Sequence, residues 1–282
     1  MPDAGNKERS TDLKQIFVRT STKEEECKWA EYHSPVMIHV PHSSTLIPKE
    51  DMKNFIGDEL EGELLRMTDH YCDDLFKCEH DMLVFPYSRL VCDVERFKDD
   101  KEEPMAAIGM GFAYTHGSNR QKIRELTRED KLGIEVCYYD QHHKELEYMV
   151  NRKLLEHNKC LIIDGHSFPG VPLPYEKDDR SERPDICVGT DDYHTDKDLA
   201  AITSGFFEKK GYNVAFNDPF SGSIVPIRYY QKDPRVQSIM IEVNRDRYID
   251  ADACKKSEYV KIKSDLEDYI DQIGQWFTKS NK

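Results

Sequence analysis

The sequence predicts an α/β protein: a single three-layer domain in which helices flank a mostly parallel, mixed sheet. Short runs rich in Val, Ile and Leu alternate with longer segments of helical character along the 282 residues. This alternation is typical of parallel strands that are joined by crossover helices. Neither an internal repeat nor a linker divides the chain. We therefore expect one α/β domain at residues 31–282, after an extended, charged lead-in at residues 1–30.

The first half of the chain begins with a strand at residues 36–42 (VMIHVPH), which ends in a loop containing Ser and Pro. Side chains at helical spacing predict a helix at residues 132–158. The segments between them are predicted, in order, as a helical region near residues 58–78, a strand at 82–86, a charged loop at 98–103 and a Gly-rich loop at 109–119.

The second half begins with an apolar strand at residues 160–166 (CLIIDGH), which enters a proline-rich loop. Thr195 and Asp196 are the candidate N-caps of a helix that ends near Gly211. Further strands are predicted at residues 186–189, 213–217 and 238–245. The C-terminal helix has an apolar face for the core, which consists of Tyr259, Ile262, Leu266, Tyr269, Ile273 and Trp276.

The composition excludes several classes of function. The formal net charge is −14 and no block of Lys and Arg stands out, whereas nucleic-acid binding requires a concentrated basic surface. No apolar stretch is long enough to span a membrane, and the polar N-terminus lacks an apolar signal segment. None of the eight cysteines belongs to a CxxC pair, which argues against a zinc ribbon. We expect a cytoplasmic protein that binds neither nucleic acid nor a membrane.

Two histidines, His42 and His166, stand where apolar strands end. Ligands of open α/β sheets bind outside the carboxyl ends of the strands, so we expect both imidazoles at one sheet edge. Three protein ligands with one open position are typical of catalytic zinc, and imidazole is the commonest ligand. His39 is the weaker candidate, because strand alternation places it on the face opposite to His42. The alternative for each is a hydrogen-bonded structural histidine.

The segment around His166 supports two interpretations. Asp164 shares a strand face with His166, and a carboxylate behind a ligating imidazole orients the ring. Asp164 is equally suited to cap the strand end. The segment also begins like the nucleophile elbow of α/β-hydrolases, with Ser167 as the nucleophile. That interpretation fails because Pro169 replaces a glycine and further prolines prevent the helix that should follow.

Two carboxylates complete the candidate site. Asp69, near the start of a predicted helix, is the expected carboxylate ligand, with Asp73 and His70 as reserves. Its alternative role is to cap that helix. Glu242 lies in an apolar strand, where burial is costly unless the group is paired or functional. Beside a metal-activated water it is a natural general base. A position on a solvated strand face, or pairing with an arginine, is the alternative.

Four arginines lie beside strands or site loops in a chain that is otherwise acidic. Guanidinium groups bind carboxylates through two parallel hydrogen bonds, so these residues are candidates for substrate binding. They are Arg89, Arg96, Arg183 and Arg245. An ordinary surface ion pair is the alternative for each of them.

Six segments, in the same order and spread over most of the chain, resemble the N-formylglutamate amidohydrolase family. They are HVPHSS…IP, TDHYCDDLF, SRLVCDVERF, LIIDGHSFPG, RPDICVGT and IEVNRDRYID. The family is similar in fold to zinc exopeptidases and zinc-dependent cell-wall amidases, so the resemblance implies a phosphorylase/hydrolase-like α/β fold. The chain departs from the family at Ser44, which is often glycine, at Glu95, which is often asparagine, and in a charged loop at residues 176–183.

The resemblance implies one zinc ion held by His42, Asp69 and His166, with Glu242 as the catalytic acid/base. It also implies that Arg96 and Arg245 bind substrate carboxylates. The expected reaction is the hydrolysis of a linear amide in a small acidic N-acyl amino acid or peptide, such as N-formylglutamate. Two alternatives stay open: a zinc carboxypeptidase or cell-wall amidase with a larger substrate, and a non-catalytic binding protein that retains the fold.

Overall fold

Six strands form one sheet, in the order β2-β1-β3-β6-β4-β5. The computed structural model describes residues 34–176 and 182–280, so the predicted lead-in at residues 1–30 lies outside the described residues. The strands are β1 (Val36–Val40), β2 (Asp81–Val84), β3 (Cys160–Phe168), β4 (Ile186–Gly189), β5 (Val214–Phe216) and β6 (Val236–Asn244). Neighbouring strands run parallel except β4 and β6, which are antiparallel. The predicted mostly parallel, mixed sheet is confirmed.

Helices connect these strands. They are α1 (Lys49–Met52), α2 (Leu60–Met67), α3 (Cys72–Leu75), α4 (Arg128–Ile134), α5 (Asp140–His157), α6 (Lys197–Lys209) and α7 (Tyr259–Lys279). A π-helical turn at Glu135–Tyr139 joins α4 to α5, and 3₁₀ turns occur at Pro104–Ile108 and Arg245–Arg247. Within the described ranges, none of the helices combines the length and the apolarity needed to cross a bilayer.

Helices cover both faces of the sheet, which is why β3 is buried at every position. On one face Ile163 belongs to a core cluster that includes Tyr269 and Ile273 of α7. On the other face Ile162 belongs to a cluster that includes Leu146 of α5. Successive residues of one strand thus point into different layers, as strand alternation requires. The three-layer arrangement is therefore confirmed.

The helical region predicted near residues 58–78 is not continuous. It divides into α2 and α3, and between them Tyr71 adopts a left-handed conformation with φ 65°. The amide of Asp69 donates to the carbonyl of His42 at 2.9 Å, which draws this segment to the end of β1. Asp69 therefore precedes α3 and lies outside both helices, whereas Asp73 is in α3 and is exposed.

Replacement of Ile163 by Ala should destabilise the protein by about 2–5 kcal/mol, because it leaves a cavity in the core between the sheet and α7. Ile163 is completely buried. The free energy of unfolding, measured in a denaturant titration, tests this. Leu155→Ala is the control, since Leu155 is 79% exposed on α5 and its truncation should change stability by less than about 0.5 kcal/mol. Equal effects of the two variants would contradict the packing described here.

Candidate metal centre

The carboxyl ends of β1, β3 and β6 surround a cavity of about 560 Å³. His42 follows β1 by two residues, while His166 and Glu242 are register partners on β3 and β6. Side chains of register partners leave the same face of a sheet side by side. The rings of His42 and His166 have centroids 5.2 Å apart. Further predicted site residues that line this cavity are Asp69, Arg89, Arg96 and Arg245.

His42 is oriented by a carboxylate that the sequence analysis did not identify. Its Nε2 donates to Asp93 Oδ1 at 2.9 Å. Its Nδ1 is buried and has no hydrogen-bond partner. Burial, followed by the charge of Arg89, lowers the pKa of His42 and so favours the neutral ring. A neutral ring with a buried, unpartnered lone pair is what a metal ligand requires.

A carboxylate also lies beside one ring nitrogen of His166, and although burial opposes protonation, the charges of Glu95 and Asp164 raise the pKa of His166. Its Nδ1 lies 3.3 Å from Asp69 Oδ2, and its Nε2 lies 3.3 Å from Glu95 Oε2. Glu95 Oε2 is also 3.8 Å from the unpartnered Nδ1 of His42. One ligand atom from each of His42, Glu95 and His166 lies within 4.8 Å of the others. Two imidazoles and a carboxylate at this separation fit a divalent metal such as zinc.

Asp93 and Glu95 are the site residues that the sequence analysis missed. A signal was present, because Asp93 interrupts the apolar run LVCDV, and a carboxylate in such a run is costly to bury unless it is paired. Leu90–Val94 is indeed fully buried. Asp93 also accepts a hydrogen bond from Tyr114 Oη at 2.8 Å. Glu95 was noted only as a departure from the family pattern, and its placement depends on the path of an irregular loop.

Asp69 reaches the site, but its oxygens already accept hydrogen bonds. Its Oδ1 accepts from Arg245 Nη2 at 2.7 Å, and its Oδ2 accepts from the amide of Ser167 at 3.2 Å. Burial opposes ionisation, yet the hydrogen bond from His166 and the charge of Arg245 lower the pKa of Asp69. Asp69 Oδ2 lies 3.9 Å from His42 Nδ1. A ligand role for Asp69 stays a prediction.

The guanidinium of Arg245 donates hydrogen bonds to several other groups of the protein. Besides Asp69, its guanidinium donates to the Arg66 carbonyl at 2.6 Å, to Ser167 Oγ at 3.1 Å and to the Ser167 carbonyl at 3.0 Å. Arg245 therefore ties the end of β3 to the segment that precedes Asp69. Ser167 Oγ thus accepts a hydrogen bond from Arg245. This contact agrees with the rejection of Ser167 as the nucleophile of an α/β-hydrolase elbow.

Arg89 and Arg96 lie together against Asp93. Arg89 Nη2 donates to Asp93 Oδ2 at 2.8 Å, whereas Arg96 Nε has no hydrogen-bond partner and lies 3.5 Å from the same oxygen. Arg96 is thus the less engaged of the two. Arg183 is not part of this group, because it lines a different cavity, where it pairs with Glu176.

Glu242 faces the cavity with one oxygen that has no hydrogen-bond partner, Oε2. Burial, reinforced by the Asp69 carboxylate and opposed by the charge of His166, raises the pKa of Glu242 to about 8. A carboxyl group whose pKa lies near neutrality can both accept and release a proton under ordinary conditions. The geometry therefore suits Glu242 to acid/base chemistry beside the two histidines.

A second group of possible metal ligands consists of His39, Glu95 and Asp164. Hydrogen bonds already occupy the histidine of this group. His39 Nδ1 lies 2.7 Å from Asp164 Oδ1, and His39 Nε2 lies 2.8 Å from His142 Nε2. Asp164 Oδ1 is also 3.1 Å from His166 Nε2. Both ring nitrogens of His39 are therefore engaged, which supports a structural role.

The two reserve ligands lie away from the histidines. His70 Nε2 donates to the carbonyl of Leu65 at 2.9 Å, and Asp73 is exposed on α3. Neither lines the 560 Å³ cavity.

Comparison with known proteins adds independent findings. The family model for N-formylglutamate amidohydrolase matches residues 34–249. The crystal structure of N-formylglutamate amidohydrolase from Ralstonia eutropha JMP134 is 21% identical, with a TM-score of 0.75 over 86% of this chain and 94% of that one. The structure of a gene product of Agrobacterium tumefaciens is 16% identical, with a TM-score of 0.65 over 89% and 94% of the two chains. A comparison with curated proteins gave no match.

Gly165→Ala should destabilise the fold by about 1–3 kcal/mol, because the added Cβ would lie 2.8 Å from the buried ring of Phe76. The neighbouring His166 should shift with the backbone, so the affinity of the candidate site for a divalent metal should fall as well. Thermal unfolding and metal analysis measure the two effects. Gly205→Ala in α6 is the matched control, since nothing lies within 4 Å of its Cβ position. Identical melting temperatures for both variants would contradict the close approach of Phe76.

Proposed function

Because this chain belongs to the N-formylglutamate amidohydrolase family, a family of hydrolases, we propose that it is a zinc-dependent enzyme that hydrolyses the linear amide of a small acidic N-acyl amino acid or peptide, such as N-formylglutamate. A single domain at residues 31–282 carries this activity. The observation that supports the proposal most directly is the buried, unpartnered Nδ1 of His42, which faces Glu95 and lies beside His166.

In this proposal His42 Nδ1, His166 Nε2 and a carboxylate hold the metal. The sequence predicted Asp69 as that carboxylate, but the contacts favour Glu95, whose Oε2 is 3.3 Å from His166 Nε2. Asp69 then orients His166 through Nδ1, as Asp93 orients His42 through Nε2. When bound, zinc supplies a Lewis acid and lowers the pKa of a coordinated water to about 7.

Glu242 transfers the proton in this reaction. Its Oε2 accepts a proton from the attacking water and passes it to the leaving nitrogen of the amide. The group is buried beside His166 and has no competing hydrogen bond at this oxygen.

Arg96 selects the acidic substrate. Its Nε has no hydrogen-bond partner and is only ion-paired with Asp93 Oδ2 at 3.5 Å, whereas Arg89 donates a hydrogen bond to that oxygen. A guanidinium with free donors can bind a carboxylate through charge-assisted hydrogen bonds. Arg245 and Arg89 were also predicted to bind substrate, and their contacts favour a supporting role behind Asp69 and Asp93. Arg183 lines another cavity and is not part of this proposal.

The cavity volume bears on the alternative substrates. At about 560 Å³ it lies within the range of about 300–1,000 Å³ that is typical of sites for small molecules. This favours an N-acyl amino acid over the extended substrate of a cell-wall amidase. Membership of a hydrolase family argues against a non-catalytic binding protein.

His166→Ala should lose bound zinc, while Glu242→Ala should retain zinc and lose turnover by about 10²–10⁴-fold, because the proton can no longer be transferred. Metal analysis and assays with N-formyl and N-acetyl amino acids separate these outcomes. A fully active Glu242→Ala enzyme would remove Glu242 from the mechanism. Zinc retained at full occupancy in His166→Ala would remove that histidine from the metal site.

Arg96→Ala should raise KM for N-formylglutamate by about 10–100-fold, because a charge-assisted hydrogen bond contributes about 1.5–3 kcal/mol. The kcat value should change much less, since a contact made equally in the bound substrate and in the transition state contributes to KM and not to kcat. Steady-state kinetics test this. Arg228→Ala is the control, because Arg228 is an exposed arginine paired with Glu147. An unchanged KM in Arg96→Ala would show that another group binds the carboxylate.

A further inference from the structure

The segment Val94–Lys98, which carries Glu95, has no regular secondary structure of its own. The amide of Glu95 donates to Oδ1 of Asp93, the residue that precedes the segment, at 3.2 Å. A carboxylate on an irregular loop binds metal well only if other elements fix the backbone beneath it. Glu103 accepts a hydrogen bond from the Phe97 amide at 2.9 Å, and the other supports are the π turn at Glu135–Tyr139 and the first turn of α5.

These two turns contact the segment at three successive points. His143 Nε2 donates to the carbonyl of Val94 at 2.7 Å, and Tyr139 Oη donates to the carbonyl of Arg96 at 2.9 Å. The two bonded carbonyls therefore flank Glu95 on either side. At the third point Lys98 Nζ pairs with Glu135 at 2.7 Å and with Asp140 at 2.9 Å.

The π turn explains why these donors are correctly placed. Its defining bond runs from the amide of Asp140 to the carbonyl of Glu135, five residues earlier. In an uninterrupted α-helix, residues five apart point about 140° away from each other. Here Ile134 and Tyr139 instead pack in the same core cluster. The turn thus lets α4 remain anchored in the core while Tyr139 and His143, whose rings are 4.3 Å apart, face the segment that carries Glu95.

We propose that this π turn is a positioning device for the Glu95 carboxylate, in which Tyr139 and His143 act as positioning residues through the carbonyls of Val94 and Arg96. The inference rests on the proposed ligand role of Glu95. Neither residue has to touch the metal or the substrate for this function. Such turns are frequent at functional sites, where they redirect side chains without ending a helix.

The test compares variants by a property of the metal site and not by activity alone. Tyr139→Phe should weaken zinc binding by about tenfold, the lower end of the effect of supporting groups behind metal ligands. It should also change the visible absorption spectrum of the cobalt(II)-substituted protein. Zinc affinity is measured by competition with a chelator. Glu95→Gln should weaken zinc binding more strongly than Tyr139→Phe.

Tyr138→Phe is the matched control. Tyr138 belongs to the same π turn, but its hydroxyl donates to Asp51 at 2.6 Å and not to the segment that carries Glu95. It should therefore lower the melting temperature without changing the cobalt spectrum or zinc affinity. If Tyr139→Phe does not fold, His143→Leu tests the same arrangement through the Val94 carbonyl.

The outcomes separate the two proposals. Wild-type zinc affinity in Glu95→Gln would refute the ligand role of Glu95, and the positioning inference with it. Weakened binding in Glu95→Gln, together with wild-type affinity and spectrum in Tyr139→Phe and His143→Leu, would refute the positioning role alone. Equal changes of the spectrum in Tyr138→Phe and Tyr139→Phe would also refute it, because the effect would then be a general loosening of the turn.

Discussion

The candidate site depends on two imidazole rings, each of which has a carboxylate against one of its ring nitrogens. Asp93 holds His42 through Nε2, and Asp69 lies against Nδ1 of His166. All four residues are buried. Buried carboxylates are costly unless their lone pairs are satisfied, and Arg245 satisfies Asp69 at 2.7 Å. The arginines that bind these carboxylates therefore help to fix the orientation of both rings.

Carboxylates outnumber arginines around the rings, which favours the binding of a cation. The carboxylates of the site are Asp69, Asp93, Glu95, Asp164 and Glu242, and the arginines that line the cavity beside them are Arg66, Arg89, Arg96 and Arg245. Arg66 pairs with Glu63 and Glu59 outside this group of acids. Three arginines remain beside these five carboxylates. Burial and the neighbouring acid raise the pKa of Glu242 to about 8, and although burial opposes protonation of His166, Glu95 and Asp164 raise its pKa. Protons on these two groups therefore reduce the excess of negative charge when no cation is bound. A divalent ion between the rings would offset this excess of negative charge.

The sequence predicted those parts of the molecule that obey simple periodicity. Apolar runs located the strands, and the rule that ligands bind at the carboxyl ends of strands brought His42, His166 and Glu242 together. The sequence could not predict the loop that carries Asp93 and Glu95, because contacts with residues distant in the chain determine the path of that loop.

Other features escaped the sequence analysis for similar reasons. A helical pattern was expected at Asp69, but the hydrogen bond from its amide to the His42 carbonyl ends the helix before that residue. The π turn was not predicted either, because one inserted residue alters the spacing of only a single turn within the predicted helix at residues 132–158. A guanidinium such as that of Arg245 can reach in several directions, so only the structure shows that it binds protein groups.

The arrangement of long and short strands has a further consequence. The outermost strands, β2 and β5, have four and three residues, whereas β3 and β6 have nine each and are paired along both sides. Local opening of a folded protein begins where few contacts oppose it, which here means at the rims of the sheet. Fraying of an edge strand would leave the two longest strands hydrogen bonded to each other. Short edge strands also offer little length for edge-to-edge aggregation between chains.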